Sequence, residues 1–423
     1  NSIGMAMAQL KDDCVAFGGR LLPLDDAEQR IAERFACVAK ESSVDLTQAV
    51  GRILARDFAA VQALPPYDNS AVDGYALRHA DLAVEGETRL PLAGIEAAGR
   101  ATGTPLAPGK AVRIFTGALI PDGADTVVMQ EDCQIEDDRV VIPQGVWLGA
   151  NLRIKGEDIA EGSIALPAGR RLMPPDLALL GAQGQVAVGV RTPLRVALFS
   201  TGDEVTPPGQ PLTPGRLYDA NRYMLTGLLR RFGCSLTDGG ILPDDPTHIA
   251  STLRAAAESH DLVITSGGVS MGDEDHVRNA IEAGGSLEFW RVAMRPGRPV
   301  ALGEIGGTPL LGLPGNPVAA LVTFVTIGRR VIEALSGAAP VLLRRYQAEA
   351  DFELKKKPGR REFLRATLRE TDGKLYVSQH PKLGAGMISS LTEGEVLLDL
   401  PEDMTRVSPG DMLSVLPLAT LYG

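Results

Sequence analysis

The spacing of apolar residues changes character along this chain, and each change marks a boundary. Residues before about Arg20 read as a loose tail. Leu24 to Lys40 sets Ile31, Phe35 and Val38 at helical spacing, with Asp25 or Asp26 as candidate N-cap. Leu46 to Phe58 repeats that spacing through Leu46, Val50, Ile53 and Leu54, and Pro65 and Pro66 end it. These stretches predict a helical, elongated first domain. From Leu90 to about Pro143 the pattern shortens to β runs at Arg89–Gly94, Ala111–Phe115, Thr126–Glu131 and Arg139–Ile142, punctuated by Pro, Gly and Asp. A small β domain is therefore inserted into the first. RIKGEDI, Arg153 to Ile159, returns the chain, and a helix near Pro175 to Gly181 completes the first domain.

From Arg195 strands alternate with helices, which predicts a mostly parallel α/β sheet. The strands are Arg195–Ser200, Asp261–Thr265, Leu287–Val292, Val300–Leu302 and Leu310–Leu313, with one more before GILPDDP. The helices are Asn221–Phe232, Thr247–Ser259, His276–Ala283 and Pro317–Leu335. After Ser336 to Pro340 the text is β again, at Tyr346–Leu354, Glu362–Arg369, Lys374–Gln379 and Val396–Leu400, as in a small barrel or sandwich. The expected division is 20–70 with 151–190, 71–150, 191–336 and 337–423.

Composition narrows the function. A chain of 423 residues exceeds one ordinary core and suggests three or four domains of roughly 100–150 residues. Net charge is −11 and aromatics are 4%, which argue against nucleic acid and anionic membranes as partners. Cys14, Cys37, Cys133 and Cys234 form no CxxC pair, as expected of free thiols in a reducing cytoplasm. The first residues do not read as a secretion signal, and no apolar run reaches the roughly 18–20 residues of a membrane span.

Candidate chemistry gathers at one edge of the α/β sheet. The loops Thr201–Glu204, Asp244-Asp245, Gly267–Asp275 and Leu313–Pro317 all follow strands and should emerge together. Gly267 and Gly268 let backbone approach an anion, and the acids up to Asp275 offer oxygen ligands for Mg²⁺. The same turn also reads as a solvated loop with helix-capping acids. Pro317 suits a first helical position and Asn316 can cap it. Arg291, Arg295 and Arg298 crowd one short stretch and suit a multiply charged oxyanion, or salt bridges on a solvated turn. KKKPGRR, Lys355 to Arg361, reads as a hairpin tip, and Arg365 beyond it could face a pocket. No nucleophile set or histidine metal motif is evident, so metal-assisted cleavage of a phosphate anhydride fits better than covalent catalysis.

Six ordered motifs, SAVDGYA, KGEDI, STGDE, TSGGVSMGDEDH, MRPGRP and GLPGNP, resemble the molybdopterin molybdenumtransferase family, the MoeA group that includes the C-terminal domain of gephyrin. The resemblance runs from about Leu21 to the end. It implies an L-shaped, four-domain, dimeric architecture and the last step of molybdenum cofactor synthesis. Adenylylated molybdopterin and molybdate are the substrates, AMP and molybdenum cofactor the products, with Mg²⁺ as cofactor. Asp244 and Asp275 match positions implicated in Mg²⁺-dependent hydrolysis, and Glu204 matches another acid of the cleft. Asp73, Thr116 and Asp158 match positions that look across from the other subunit. The pterin and its phosphate would lie on Thr201, Gly202 and Asp203, on Ser266, Gly267, Gly268, Val269 and Ser270, and on Pro314, Gly315, Asn316 and Pro317. Molybdate would lie on Arg291, Arg295, Pro296 and Arg298, with Arg365, Ser389 and Ser390. Many relatives carry lysine where this chain has the three arginines, which keeps the charge and changes its shape. Ala319 stands where some have serine.

Two other readings remain. A molybdopterin adenylyltransferase uses a related α/β domain, usually alone. A non-catalytic gephyrin-like scaffold would call for a fused N-terminal domain and long linker, which are not expected here. A homodimer with a shared site is expected, and an adenylyltransferase or cofactor-accepting protein is a possible partner.

Overall fold

The computed structural model describes residues 21–100, 102–269 and 276–422. The chain divides into two compact units, 56–167 with 178–186, and the remainder.

The larger unit is built on a six-stranded sheet. Its strands in chain order are β1 Arg195–Thr201, β2 Ser235–Leu242, β3 Leu262–Ser266, β4 Gly285–Arg291, β5 Pro299–Ile305 and β6 Thr308–Leu313. They lie in the order β2-β1-β3-β6-β5-β4. β1 pairs parallel with β2 and β3, and β3 with β6, while β5 and β4 add antiparallel. The helices are α1 Asn221–Arg231, α2 Pro246–Ser259, α3 His276–Gly284 and α4 Pro317–Thr323. α4 continues through a π turn at Phe324–Gly328 into Arg329–Ser336.

Alternation along the strands sorts side chains to two faces. Val196 and Leu198 pack with Leu225 and Leu229 of α1 and Leu321 of α4. Ala197 and Phe199 pack with Ile249 and Leu253 of α2 and Ile281 of α3. β3 is buried at every position, as a central strand covered on both faces must be. α2 starts where Asp245 Oδ1 accepts from His248 N at 2.9 Å and Pro246 opens the helix.

The C-terminal part closes on itself. Arg361–Thr371, Lys374–Gln379, Tyr346–Ala350, Met412–Pro417 and Val396–Leu400 form a ring of paired strands, a small barrel. Met294–Arg295 adds parallel to Arg361–Thr371.

Helix was also expected over Leu46–Phe58, and the structure corrects this. Only a single turn, Leu46–Gln48, forms. Gly51 takes φ +77°, and Ile53 and Leu54 then bridge to Arg171 and Val190 as extended chain. A left-handed glycine ends a helix, and a 3.6-residue pattern cannot reveal pairing with distant strands. The helix from Leu24 ends at Arg34 rather than Lys40.

The smaller unit holds its own six-stranded sheet. Its order is Thr126–Met129, Gly74–Leu77, Ala111–Ile114, Thr88–Glu96, Arg139–Ile142 and Gln134–Glu136. Gly74 is required there, because a Cβ would sit 2.0 Å from Val128 O.

Candidate functional site

The strand order reverses around β1, since β2 lies on one side of it and β3 on the other. In such sheets the carboxyl ends of the strands diverge and leave a crevice. A cleft of about 830 Å³ opens there. It is lined by the turn after β1 (Thr201, Gly202, Glu204), by Asp244 after β2, by Ser266 to Val269 at the end of β3, and by Pro314 to Pro317 after β6. Pro299 and Gly386 complete it among the described residues, with the segment leading into α1.

The floor of the cleft is polar and buried. Ser200, Thr201 and Ser266 are 2–4% exposed and Asn221 is 7%. Asn221 Nδ2 donates to Ser266 Oγ at 2.8 Å and to Gly315 O at 2.7 Å, so one amide joins the ends of β3 and β6. Ser200 Oγ, Thr201 Oγ1 and Asn221 Oδ1 are buried with no hydrogen-bond partner. Such atoms usually cost about 1–3 kcal/mol each, and most buried polar atoms avoid that cost. The residues that carry them line the cleft.

Glycine is required beside that floor. Gly267 and Gly268 take φ +97° and +69°. A Cβ on Gly267 would fall 2.7 Å from both Thr201 O and Thr201 Oγ1, and one on Gly268 would fall 2.7 Å from Val277. Gly267 N donates to Leu313 O at 2.9 Å, which fixes the turn against β6.

The acids occupy the rim. Asp203 and Asp244 hold each other, with Asp203 N donating to Asp244 Oδ2 at 3.1 Å and Asp244 N to Asp203 Oδ1 at 3.2 Å. Glu204 and Asp244 are exposed and line the cleft. Among the described residues no cluster of three or more metal-ligating side chains forms. Two carboxylates still suit Mg²⁺, which is commonly bound by one or two carboxylates and completes its shell with water and substrate phosphate. Ser270 and Asp275 lie outside the described residues.

Asn316 departs from its expected role. It takes the N-cap position of α4, yet its side chain makes no capping bond. The amide of Val318 donates to Ala385 O at 3.0 Å instead. That contact joins the start of α4 to the loop 384–388, whose Gly386 lines the cleft.

None of the three arginines is among the residues lining the cleft. Arg291 stacks on Trp290, its guanidinium carbon 3.7 Å from the ring centre. Arg295 sits on the edge strand beside the barrel, opposite Glu362, with Nη1 3.7 Å from its carboxylate. Arg298 O accepts from Val292 N at 3.1 Å, which closes the turn containing Pro296. Arg365 is 1% exposed on the neighbouring barrel strand. Its Nε donates to Ser390 Oγ at 2.9 Å, and its Nη2 to Lys382 O at 2.8 Å and Gly384 O at 3.1 Å. Burial lowers the pKa of that guanidinium. Ser389 Oγ accepts from Lys382 Nζ at 2.9 Å, and the same ammonium meets Glu393 at 2.6 Å.

In the smaller unit, adjacent antiparallel strands bring Asp73 beside Thr116. Asp73 Oδ1 accepts from Thr116 N and Thr116 Oγ1, both at 2.8 Å. Those two donors hold the carboxyl below its ordinary range. Asp158 is exposed, and its amide donates to Leu64 O.

Asn221 and Ser200, which line the cleft, and Lys382, which bonds Ser389, are not among the site residues expected from the sequence. Asn221 had a signal, as the polar residue opening a helix that faces the strand ends.

Fold and cleft together define an α/β ligand-binding domain, and residues 197–334 match the family model described as a probable molybdopterin binding domain. Residues 22–184 match the MoeA N-terminal region (domain I and II), and 347–418 the MoeA C-terminal region (domain IV). The chain belongs to the MoeA family. It is 35% identical over 406 residues to a molybdopterin molybdenumtransferase of Haemophilus influenzae, covering 95% of this chain and 100% of that one. A molybdopterin molybdenumtransferase of Nostoc sp. is 38% identical over 390 residues, covering 89% and 88%. The crystal structure of a molybdopterin biosynthesis moeA protein from Pyrococcus horikoshii OT3 superposes with TM-score 0.80 at 28% identity, covering 94% of this chain and 100% of that one.

Proposed function

We propose that this chain is a molybdopterin molybdenumtransferase, cleaving adenylylated molybdopterin and inserting molybdate to give molybdenum cofactor and AMP. The observation that carries this reading is the cleft floor, where Ser200 Oγ, Thr201 Oγ1 and Asn221 Oδ1 are buried without partners at a switch point of the sheet. Hydroxyls there can donate to phosphate oxygens, and Asn221 Oδ1 can accept from a pterin or adenine N–H. The cleft volume lies within the roughly 300–1,000 Å³ of sites that enclose organic ligands. The family's curated relatives carry the same activity in their names.

Asp244 would hold Mg²⁺, with Asp275 and Glu204 alongside. Bound there, the ion would neutralise charge on the phosphate anhydride. The chain's own part is positioning. Gly267, Gly268 and Val269 bring backbone close to the phosphate, and Pro314 to Pro317 close the opposite wall. Arg295, Arg298 and Arg291, with Ser389 and Ser390, would gather molybdate beside the barrel. The described bonds of Arg365 use Nε and Nη2 on protein, so it holds the serine loop and has Nη1 left for the oxyanion. Asp73, Thr116 and Asp158 would act in a homodimer, completing the partner's site. A cytoplasmic enzyme fits the free thiols, and among the described residues no helix is long and apolar enough to cross a membrane.

The assay supplies purified protein with adenylylated molybdopterin, Mg²⁺ and molybdate. AMP release with cofactor formation is expected. Consumption of ATP with free molybdopterin would instead identify an adenylyltransferase, and neither activity would leave a scaffold.

A further inference from the structure

Away from the cleft, three guanidiniums meet around a small cavity in the same compact unit. Arg52, Arg171 and Arg191 line it with Gly233 and Cys234, and its volume is about 20 Å³. The three arrive from separate segments, the turn after Gly51, the extended stretch before Pro174, and the end of the strand Ala187–Arg191.

We infer that this cavity binds a single-centre inorganic anion, a halide or a tetrahedral oxyanion such as phosphate. The proposal is independent of the transferase reading.

Each guanidinium touches a backbone carbonyl rather than a carboxylate. Arg52 Nη2 donates to Arg191 O at 2.9 Å, Arg171 Nη1 to Gly51 O at 2.7 Å, and Arg191 Nη1 to Ala39 O at 3.3 Å. None of the three forms an ion pair among the described residues. Arg191 Nε is buried with no partner at all. The carboxylate whose field reaches Arg171 belongs to Glu333, and it is already bonded to Arg329 at 2.9 Å and Arg330 at 3.1 Å. Cys234 cannot supply the missing charge, because burial raises its thiol to about 12 and keeps it neutral near pH 7.

Arginine does not escape this situation by losing its proton. Burial pushes the Arg171 guanidinium down, which marks a charge poorly compensated by its surroundings. One anion among three guanidiniums that line the same cavity would gain charge-assisted hydrogen bonds from them. Size limits the choice. A water needs roughly 10–15 Å³ by the same measure, so this cavity suits one small species. The alternative is that the guanidiniums serve only as staples for carbonyls, with water in the cavity.

Crystals of the full chain soaked separately in sodium bromide and sodium selenate test this, with anomalous data at each absorption edge. A peak among Arg52, Arg171 and Arg191 is expected. Bromide alone would assign a halide, selenate an oxyanion, and no peak in either soak overturns the proposal. In solution, at fixed ionic strength, the anion that gives the peak should raise the Tm of the wild type in a saturable way. Arg171→Met should lose that saturable rise while keeping AMP release, which separates this cavity from oxyanion binding at the proposed active site. A folded Arg171→Met protein with the wild-type response contradicts the proposal, as does a wild-type response that merely tracks ionic strength.

Discussion

The cleft floor and the serine loop of the barrel are both polar, yet they treat their polar atoms in opposite ways. On the floor, Ser200 Oγ, Thr201 Oγ1 and Asn221 Oδ1 have no partner. In the loop, Arg365, Ser390, Lys382, Ser389 and Glu393 are joined by bonds of 2.6–3.1 Å. His380 extends the set, accepting from Lys382 N at 3.1 Å and meeting Glu393 at 3.2 Å. Paired atoms hold a shape, whereas unpaired buried atoms cost stability and persist where a ligand repays it. Under the proposed function the floor binds the ligand, and the loop keeps its serines in place.

The largest effect should come from the paired region. Arg365→Ala should cost about 3 kcal/mol in chemical denaturation, because three bonds from a buried cation are lost together. A cost under about 1 kcal/mol would break the contrast. Next is Gly268→Ala, which adds a Cβ 2.7 Å from Val277 at φ +69° and should destabilise by about 1–3 kcal/mol. It should also depress kcat, because the turn against Thr201 must shift; unchanged turnover would show that the glycine serves folding alone. Thr201→Val sharpens the contrast most selectively. It removes an unpaired hydroxyl with little change of shape, so stability should hold or rise by about 1 kcal/mol. AMP affinity, measured by calorimetry, should fall about tenfold, the equivalent of one lost hydrogen bond. Equal affinity would mean the hydroxyl does not face the ligand.

The smallest effect concerns Asp73, a paired carboxylate in the other unit. Its pKa is depressed by Thr116, so its share of stability is present above the ordinary carboxylate range and is lost as pH falls through the lowered value. Thr116→Val should move the Asp73 titration upward, as followed by carboxyl NMR. An unmoved titration would remove Thr116 as the cause.

Much of this could be read from the sequence, for physical reasons that differ by element. Strands such as Arg139–Ile142 and Lys374–Gln379 were placed to the residue, because short β runs bounded by turn residues mark their own ends. The four loops at the sheet edge followed from strand–helix alternation. Tertiary partners could not be read. Nothing local told that Ile53 and Leu54 would bridge to Arg171 and Val190. The arginine stretch suited an oxyanion or salt bridges on a turn, and nothing local told that Arg291 would lie on Trp290 and Arg295 opposite Glu362. Asn316 had every local feature of a cap and makes no capping bond, because Val318 N meets a carbonyl from the barrel loop. Met412–Pro417, which helps close the barrel, was missed, its apolar run lying among turn residues at the end of the chain.

The most direct test is a crystal structure with AMP and Mg²⁺ bound. The phosphate is expected in the cleft, within hydrogen-bond distance of Thr201 Oγ1, with the ion on Asp244. AMP bound elsewhere, with the hydroxyls of Ser200 and Thr201 untouched by ligand, would contradict the account.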